Sequence, residues 1–247
     1  MQIVTFDFHN TLVSCDRWFE LEVRTLPWDV ILELNISPSE RPDSSTVLSA
    51  YRQLRAEVVR SGNEINSYTS VERIFTTLDV TATQADVRAS VDHLMADALD
   101  SARLEPGAGE LVRDLHKRGA RLAVISSAIH HDFLQCALQR FSLTECFEGI
   151  VTSASSGYYK SNPEIYRSTL AELGGYPASC VHIGDSLRWD VGSAQKVGVK
   201  TVWLDRDGDV RPWDDAPLPV PDLRLKSLAG ASGVILNLLE SVSPSRE

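Results

Sequence analysis

Long apolar runs, paired cysteines and a surplus of basic charge are all missing from this sequence. No uninterrupted apolar stretch approaches the roughly 20 residues that a membrane-spanning helix needs, so no membrane partner is expected. Cys15, Cys136, Cys146 and Cys180 stand far apart, with no Cys-x-x-Cys pair and no Cys/His cluster. That spacing argues against a zinc site and for free thiols in a reducing compartment. Lys and Arg number 24 against 34 Asp and Glu, a net charge of −10. A nucleic-acid surface needs clustered basic charge, so no nucleic-acid partner is expected. The start, Met1-Gln2-Ile3-Val4-Thr5-Phe6-Asp7, carries no basic segment before its first acid, so it does not read as a secretion signal, and a cytoplasmic location is expected. Lysine is absent from residues 15–103. What remains is ordinary globular material: 247 residues, 43% hydrophobic and 23% charged, enough for one large domain or two unequal ones.

The pattern along the chain changes twice. Ile3-Val4-Thr5-Phe6 reads as a short buried strand that ends at Asp7. Residues 15–103 then show helical periodicity and almost no strand pattern. Helices are predicted over 16–34 (interrupted at Pro27), 46–60, 70–78 and from Thr83 through Leu99. From Leu104 onward strands and helices alternate. Strands are predicted at 121–125, 149–152, 180–183 and 200–204, and helices at 108–118, 130–139, 163–173 and 187–197. A polar loop over 205–221, a strand and helix within 222–241 and a frayed end at 243–247 complete the reading. The alternation implies an α/β fold with a parallel sheet covered on both faces, and the inserted stretch implies a small helical bundle.

In an open parallel sheet, ligands bind beyond the carboxyl ends of the strands. Asp7, Ser126 and Asp185 each follow a predicted strand. Lys160 precedes one helix and Asp190 opens another. Acids gathered at one rim repel each other, and Mg²⁺ with oxygen ligands relieves that repulsion. Lys160 and Ser126 can then hold the oxygens of a phosphoryl group, leaving the Asp7 carboxylate as a nucleophile. His130-His131 reads as a helix start rather than a metal pair, because adjacent helical side chains diverge. Trp18, Phe19 and Trp28 are expected to pack the helical bundle, with Trp18 near enough to its start to line a pocket.

Four segments in this order resemble the haloacid dehalogenase-like hydrolase superfamily. Asp7-Phe8-His9-Asn10-Thr11-Leu12 is similar to its first motif and Val124-Ile125-Ser126-Ser127 to its second. Lys160-Ser161-Asn162-Pro163 is similar to the third, and Gly184-Asp185-Ser186-Leu187-Arg188-Trp189-Asp190 to the fourth. The resemblance implies a Rossmann-like core over 1–14 and 104–247 and a helical cap over 15–103. It implies a phosphatase of a small phosphorylated metabolite, acting as a monomer or homodimer. Asp7 would be the nucleophile and His9, Ser126 and Lys160 would share the catalytic work. Thr11, Ser126, Ser127 and Lys160 would bind substrate. Mg²⁺ would rest on Asp7, the backbone carbonyl of His9 and Asp185, with Asp190 in support.

The sequence departs from the family pattern at His9, where family phosphatases carry a second Asp as general acid and base. Imidazole can do that work near neutral pH. Asn10 replaces a Gly, Ser127 an Asn and Ser161 a Pro. Two other readings stand beside the phosphatase. One is other chemistry of the superfamily, such as 2-haloacid dehalogenation or phosphotransfer. The other is a weakly catalytic protein that binds phosphate and Mg²⁺. Phosphonate-cleaving relatives need a cap lysine, which 15–103 lacks.

Overall fold

The computed structural model describes residues 2–206 and 218–241. Part of the expected 205–221 loop and all of the expected frayed end at 243–247 lie outside them.

Six parallel strands form the main sheet: β1 (Ile3–Phe6), β4 (Arg121–Ser126), β5 (Gly149–Thr152), β6 (Cys180–Gly184), β7 (Lys200–Leu204) and β8 (Leu223–Leu225). Their order is β5-β4-β1-β6-β7-β8, so β1 lies inside the sheet with Phe6 opposite both Val124 and Ile183. Alternation sorts the strand side chains between the two faces. Val4, Phe6, Leu122, Val124, Val181 and Ile183 join one core; Ile3, Ala123, Ile125 and Cys180 join the other. Helices α6 (Ala108–Lys117), α7 (His131–Arg140) and α11 (Ser232–Glu240) supply the first core, while α9 (Glu164–Glu172) covers the second with Ile165, Tyr166 and Leu170.

Residues 15–103 are helical, as expected: α1 (Asp16–Glu20), α2 (Leu26–Glu33), α3 (Ser44–Ser61), α4 (Ser67–Thr77) and α5 (Gln84–Leu99). Three of these helices start on side-chain caps, with Asp43 accepting from the Thr46 N–H (3.0 Å), Asn66 from Thr69 (2.9 Å) and Thr83 from Asp86 (3.1 Å). Such caps contribute about 1 kcal/mol each. The stretch is interrupted just ahead of Pro27, where a second helix begins. Pro27 sits in the first turn of α2, where its missing N–H costs little. The chain joins α1 to α2 through a wider π-type turn at Leu21–Thr25, closed by the Leu26 N–H on the Leu21 carbonyl.

The sequence showed no sign of two short strands, β2 (Val13–Ser14) and β3 (Arg103–Leu104). They pair antiparallel, so the chain leaves the sheet for the helices and returns at the same place. A second link joins the α3–α4 loop to the loop before Lys160: the Glu64 N–H donates to the Gly157 carbonyl (2.8 Å) and the Tyr159 N–H to the Gly62 carbonyl (3.0 Å). The predicted helix at 187–197 is a π-type turn, Leu187–Val191, followed by α10 (Gly192–Gln195), and α8 (Ser153–Ser156) is a short addition.

Candidate active site

The carboxyl edge of β1, β4 and β6 gathers the polar residues singled out in the sequence. Asp7 follows Phe6 directly, and its N–H donates to the Ile183 carbonyl (2.8 Å), which fixes it between β1 and β6. Lys160 reaches in from the opposite loop. Its Nζ lies 2.5 Å from Asp7 Oδ1 and 2.6 Å from Asp190 Oδ1, and all three side chains are buried. Thr11 Oγ1 donates to Asp7 Oδ2 at 3.4 Å. The Lys160 N–H donates to Ser127 Oγ (3.3 Å), tying the second and third motif-like segments together. Ser126 is buried at the end of β4.

His182 and Thr5 belong to the same network, although nothing in the reading of the sequence pointed to them. His182 Nδ1 lies 2.9 Å from Thr5 Oγ1 and its Nε2 3.3 Å from Asp190 Oδ1. The signal was a histidine and a threonine inside otherwise apolar strands, each fully buried. The Ser186 N–H donates to Asp190 Oδ2 at 2.9 Å, so both Asp190 oxygens are held. Gly184 makes room for this carboxylate: a Cβ there would stand 2.2 Å from Asp190 Cγ. Gly184→Ala is therefore expected to displace Asp190, lower the melting temperature by several degrees and cut turnover at least tenfold, as thermal unfolding and steady-state kinetics would show. A variant with wild-type kinetics would contradict the packing argument.

Lys160 is shared almost evenly by two acids whose titrations move in opposite directions. Burial raises Asp7 to about 7, against the pull of Lys160, and the neighbouring Asp190 and Asp185 push the same way as burial. Burial also opposes ionisation of Asp190, but Lys160 and the His182 hydrogen bond overcome it and hold that carboxyl well below the usual range. The two acids in turn keep Lys160 charged despite its burial. The distinction is structural, since Asp190 has two further donors and Asp7 has two further acids.

Ligand oxygens of Asp7, Asp185 and Asp190 lie within 4.8 Å of one another. Three hard carboxylates and one ammonium leave an excess of negative charge, and an oxygen-loving divalent cation fits that donor set. The Asp190 oxygens are engaged by Lys160, His182 and Ser186, and the Asp7 oxygens by Lys160 and Thr11. The Asp185 backbone is held by the Trp203 indole N–H on its carbonyl (2.9 Å).

His9 is half-buried, and its ring faces the first helix of the insertion. It stacks on Phe19 with centroids 4.6 Å apart and planes 2° from parallel, and lies 5.4 Å from Trp18. Trp18 is buried as expected and stacks on Phe133 (5.1 Å), whereas Phe19 is 38% exposed. Asn10 adopts φ +58°, a conformation that asparagine tolerates better than most residues. His130 and His131 diverge, as expected, toward Ser67 (3.0 Å) and Thr152 (3.1 Å). A groove of about 860 Å³ between α3 and α4, lined by Leu54, Glu57, Arg60, Glu72 and Arg73 among others, contains none of the residues gathered around Asp7.

A family profile described as haloacid dehalogenase-like hydrolase matches residues 1–198. The chain belongs to that family. Among curated relatives, a phosphoserine phosphatase of Thermus thermophilus is 31% identical over 125 residues, covering 51% of this chain and 48% of the relative. An (S)-2-haloacid dehalogenase 4A of Burkholderia cepacia is 30% identical over 128 residues, covering 50% and 54%. This haloacid dehalogenase-like chain thus spans about half the length of these two relatives. A glyceraldehyde 3-phosphate phosphatase of Pyrococcus abyssi matches more broadly, 25% identical with 83% and 81% covered. The fold is that of a 2-haloacid dehalogenase from Pseudomonas syringae, with TM-score 0.69, 19% identity and 96% and 99% of the chains covered. It is equally that of a magnesium-bound family hydrolase, YfnB of Bacillus subtilis, with TM-score 0.62, 18% identity and 97% and 99% covered.

Proposed function

We propose that this chain is a Mg²⁺-dependent phosphatase of a small phosphorylated metabolite, working through an aspartyl-phosphate on Asp7. The observation that carries the reading is the buried Asp7–Lys160–Asp190 line with Asp185 beside it at the carboxyl edge of β1 and β6. Residues 1–14 and 104–247 act as the catalytic core and 15–103 as the cap, with β2 and β3 as the joint.

Lys160, held by Asp190, orients the Asp7 carboxylate and offers charge to the phosphoryl oxygens. Ser126 donates its hydroxyl hydrogen to them, and Thr11 steadies the Asp7 carboxylate through Oδ2. Ser127 accepts the Lys160 N–H and keeps its own proton for the substrate. An Asp7 oxygen attacks phosphorus, the ester P–O bond breaks, and His9 gives a proton to the departing oxygen. His9 then takes a proton from water as the water attacks the Asp7–phosphoryl bond, which returns the Asp7 carboxylate and free phosphate. Mg²⁺, held by Asp7, the His9 carbonyl and Asp185, would offset charge on the phosphoryl oxygens. The cap excludes bulk water during the first transfer.

The test is release of phosphate from an aryl phosphate and from a panel of phosphorylated metabolites, with Mg²⁺ and with chelator. Mg²⁺-dependent release supports the reading. Release of halide from 2-haloacids without metal would replace it with dehalogenation. Stabilisation by phosphate plus Mg²⁺ without turnover would replace it with a binding role.

A proton donor matters most when the leaving group is a poor one. His9→Ala is expected to slow hydrolysis of alkyl phosphates about 10²- to 10³-fold and that of para-nitrophenyl phosphate far less. Equal slowing of both substrates would remove His9 from the acid's role.

A further inference from the structure

Backbone hydrogen bonds tie the helical insertion to the rest of the chain at its joint, β2 with β3, and again at residues 62–67, between α3 and α4. The second contact lies against the two loops that carry Ser127 and Lys160. The Ser67 N–H donates to the Ile129 carbonyl (2.8 Å), just beyond Ser126 and Ser127. Asn63 and Tyr158 face each other as an antiparallel pair, closed on either side by the Glu64 and Tyr159 bonds described above. Gly62 comes so close that a Cβ there would stand 2.8 Å from Asn162 Cβ.

A buried carboxylate locks this contact. Glu64 Oε1 accepts from Arg55 (2.7 Å) and from the Ile65 N–H (2.9 Å), and its Oε2 accepts from Arg55 (3.0 Å) and from Ser153 Oγ (2.9 Å). The acceptor positions of a carboxylate are thereby filled. Of these partners Ser153 alone lies outside the insertion; it begins α8, and its hydroxyl is also 3.0 Å from the Ala128 carbonyl. Arg55 stands on α3, and that helix reaches the turn between α1 and α2 through the Tyr51 hydroxyl, which donates to the carbonyl of the buried Glu22 (2.5 Å). A buried ion pair holds its place when its hydrogen-bonding positions are all satisfied. Glu64 therefore bears on the chemistry through two loops. Ala128 and Ile129 follow Ser126 and Ser127, while Gly157 and Tyr159 precede Lys160, whose own N–H meets Ser127 Oγ.

We propose that Glu64 is a positioning residue for the reaction, and that it keeps residues 62–67 docked on the core throughout turnover as a fixed wall of the site. The insertion then does not swing away as one body about β2 and β3. This rests on the phosphatase reading for the reaction, but not for the docking.

Two measurements on the whole chain test the docking. In hydrogen exchange the Glu64, Ser67 and Tyr159 amides are expected to be protected within about tenfold of the amides of β1, since a docked wall opens only with the fold. Faster exchange would show that the wall lifts and would overturn the proposal. The second measurement joins Asn63→Cys to Tyr158→Cys by a disulfide, in a chain whose exposed Cys136 is removed by Cys136→Ser. The two positions form a non-hydrogen-bonded antiparallel pair, a spacing that a disulfide spans. With para-nitrophenyl phosphate and Mg²⁺, kcat is expected to agree within about twofold between the oxidised and reduced forms, because a wall that never leaves loses nothing by being tied. A larger loss on oxidation, recovered on reduction, would overturn the proposal.

Ser153→Ala isolates the positioning role, because it leaves the Arg55–Glu64 pair intact. Its kcat is expected to fall about tenfold with the melting temperature within about 2 °C of wild type, and the same disulfide placed in this variant is expected to restore most of the rate. A merely structural contact would lower the melting temperature and leave kcat alone. An unchanged kcat, or a loss that the disulfide leaves in place, would remove Glu64 from positioning. A wild type that hydrolyses no phosphate ester would overturn the phosphatase reading, and the exchange rates would still decide whether the wall stays docked.

Discussion

Asp7→Asn is expected to abolish phosphate release, with a loss of about 10⁵-fold or more, because on the proposed reading it removes the covalent nucleophile and with it the whole first step. The amide is nearly the same size and keeps the Thr11 side of the site occupied, so the loss is chemical rather than structural. In metal-free buffer the same variant carries a stability signature. Asp7 is held at about 7 in the folded protein, above its unfolded value of 3.8. A raised folded value means that the group favours the fold below about pH 4. That advantage disappears as pH climbs through 7, where the ionised, buried carboxylate opposes the fold. Wild type in chelator is therefore expected to fall relative to Asp7→Asn between pH 4 and pH 7. Added Mg²⁺ should restore wild type and leave the variant nearly unmoved. Thermal unfolding across pH, with and without metal, reads this directly; parallel curves for the two proteins would contradict the assignment of burial as the cause.

Lys160→Met is the more damaging change for the fold. The side chain fits by length, but it leaves Asp7 and Asp190 buried without the cation they share. Breaking a buried pair from one side costs about 3–5 kcal/mol, which corresponds to roughly 10 °C in a chain of this size. Turnover should drop about 10³-fold or more, because Lys160 holds Asp7 and, on the proposed reading, meets the phosphoryl group. The destabilisation should be smaller at pH 5 than at pH 8, because acids that have lost their cation are eased by protons. Lys160→Arg is not expected to rescue, since the larger planar guanidinium cannot occupy a position fixed at 2.5 and 2.6 Å from two carboxylates. A Lys160→Met protein with unaltered stability would show that the three groups are not a buried unit.

Asp7, Ser126 and Asp185 were legible because each ends a short apolar run, and a parallel sheet collects such ends at one edge. Lys160 and Asp190 were legible from their places before and at the start of helices, and the family pattern strengthened them, because a lysine in a loop and an acid in a first helical turn also have ordinary surface explanations. The His182–Thr5 contact lies between two strands distant in sequence, so only the β1–β6 register could reveal it. Pro27 marked the start of α2, but the π-type turn ahead of it lies in residues with no turn chemistry of their own. Glu22 and Arg55 did leave a trace. Trp18, Glu22, Leu26 and Val30 repeat every four residues, as do Val47, Tyr51 and Arg55, so each charge stands within an apolar stripe. A charge in that place is a buried group awaiting a partner rather than part of a solvated face.

The pairing of β2 with β3 has a consequence for how such a protein can change over time. Val13 lies opposite Leu104 and Ser14 opposite Arg103, so the two ends of the helical excursion are neighbours on one ladder. Topologically the excursion is a detour: the path from β1 to β4 closes at the same point whatever its length. The strand-end acids keep their register whatever the length of the detour, which meets the rest of the chain again at the Glu64–Gly157 and Tyr159–Gly62 bonds. On the reading proposed above, reaction and recognition are encoded in separable stretches of one chain, and altering the detour alone, outside residues 62–67, is the expected route to new substrates.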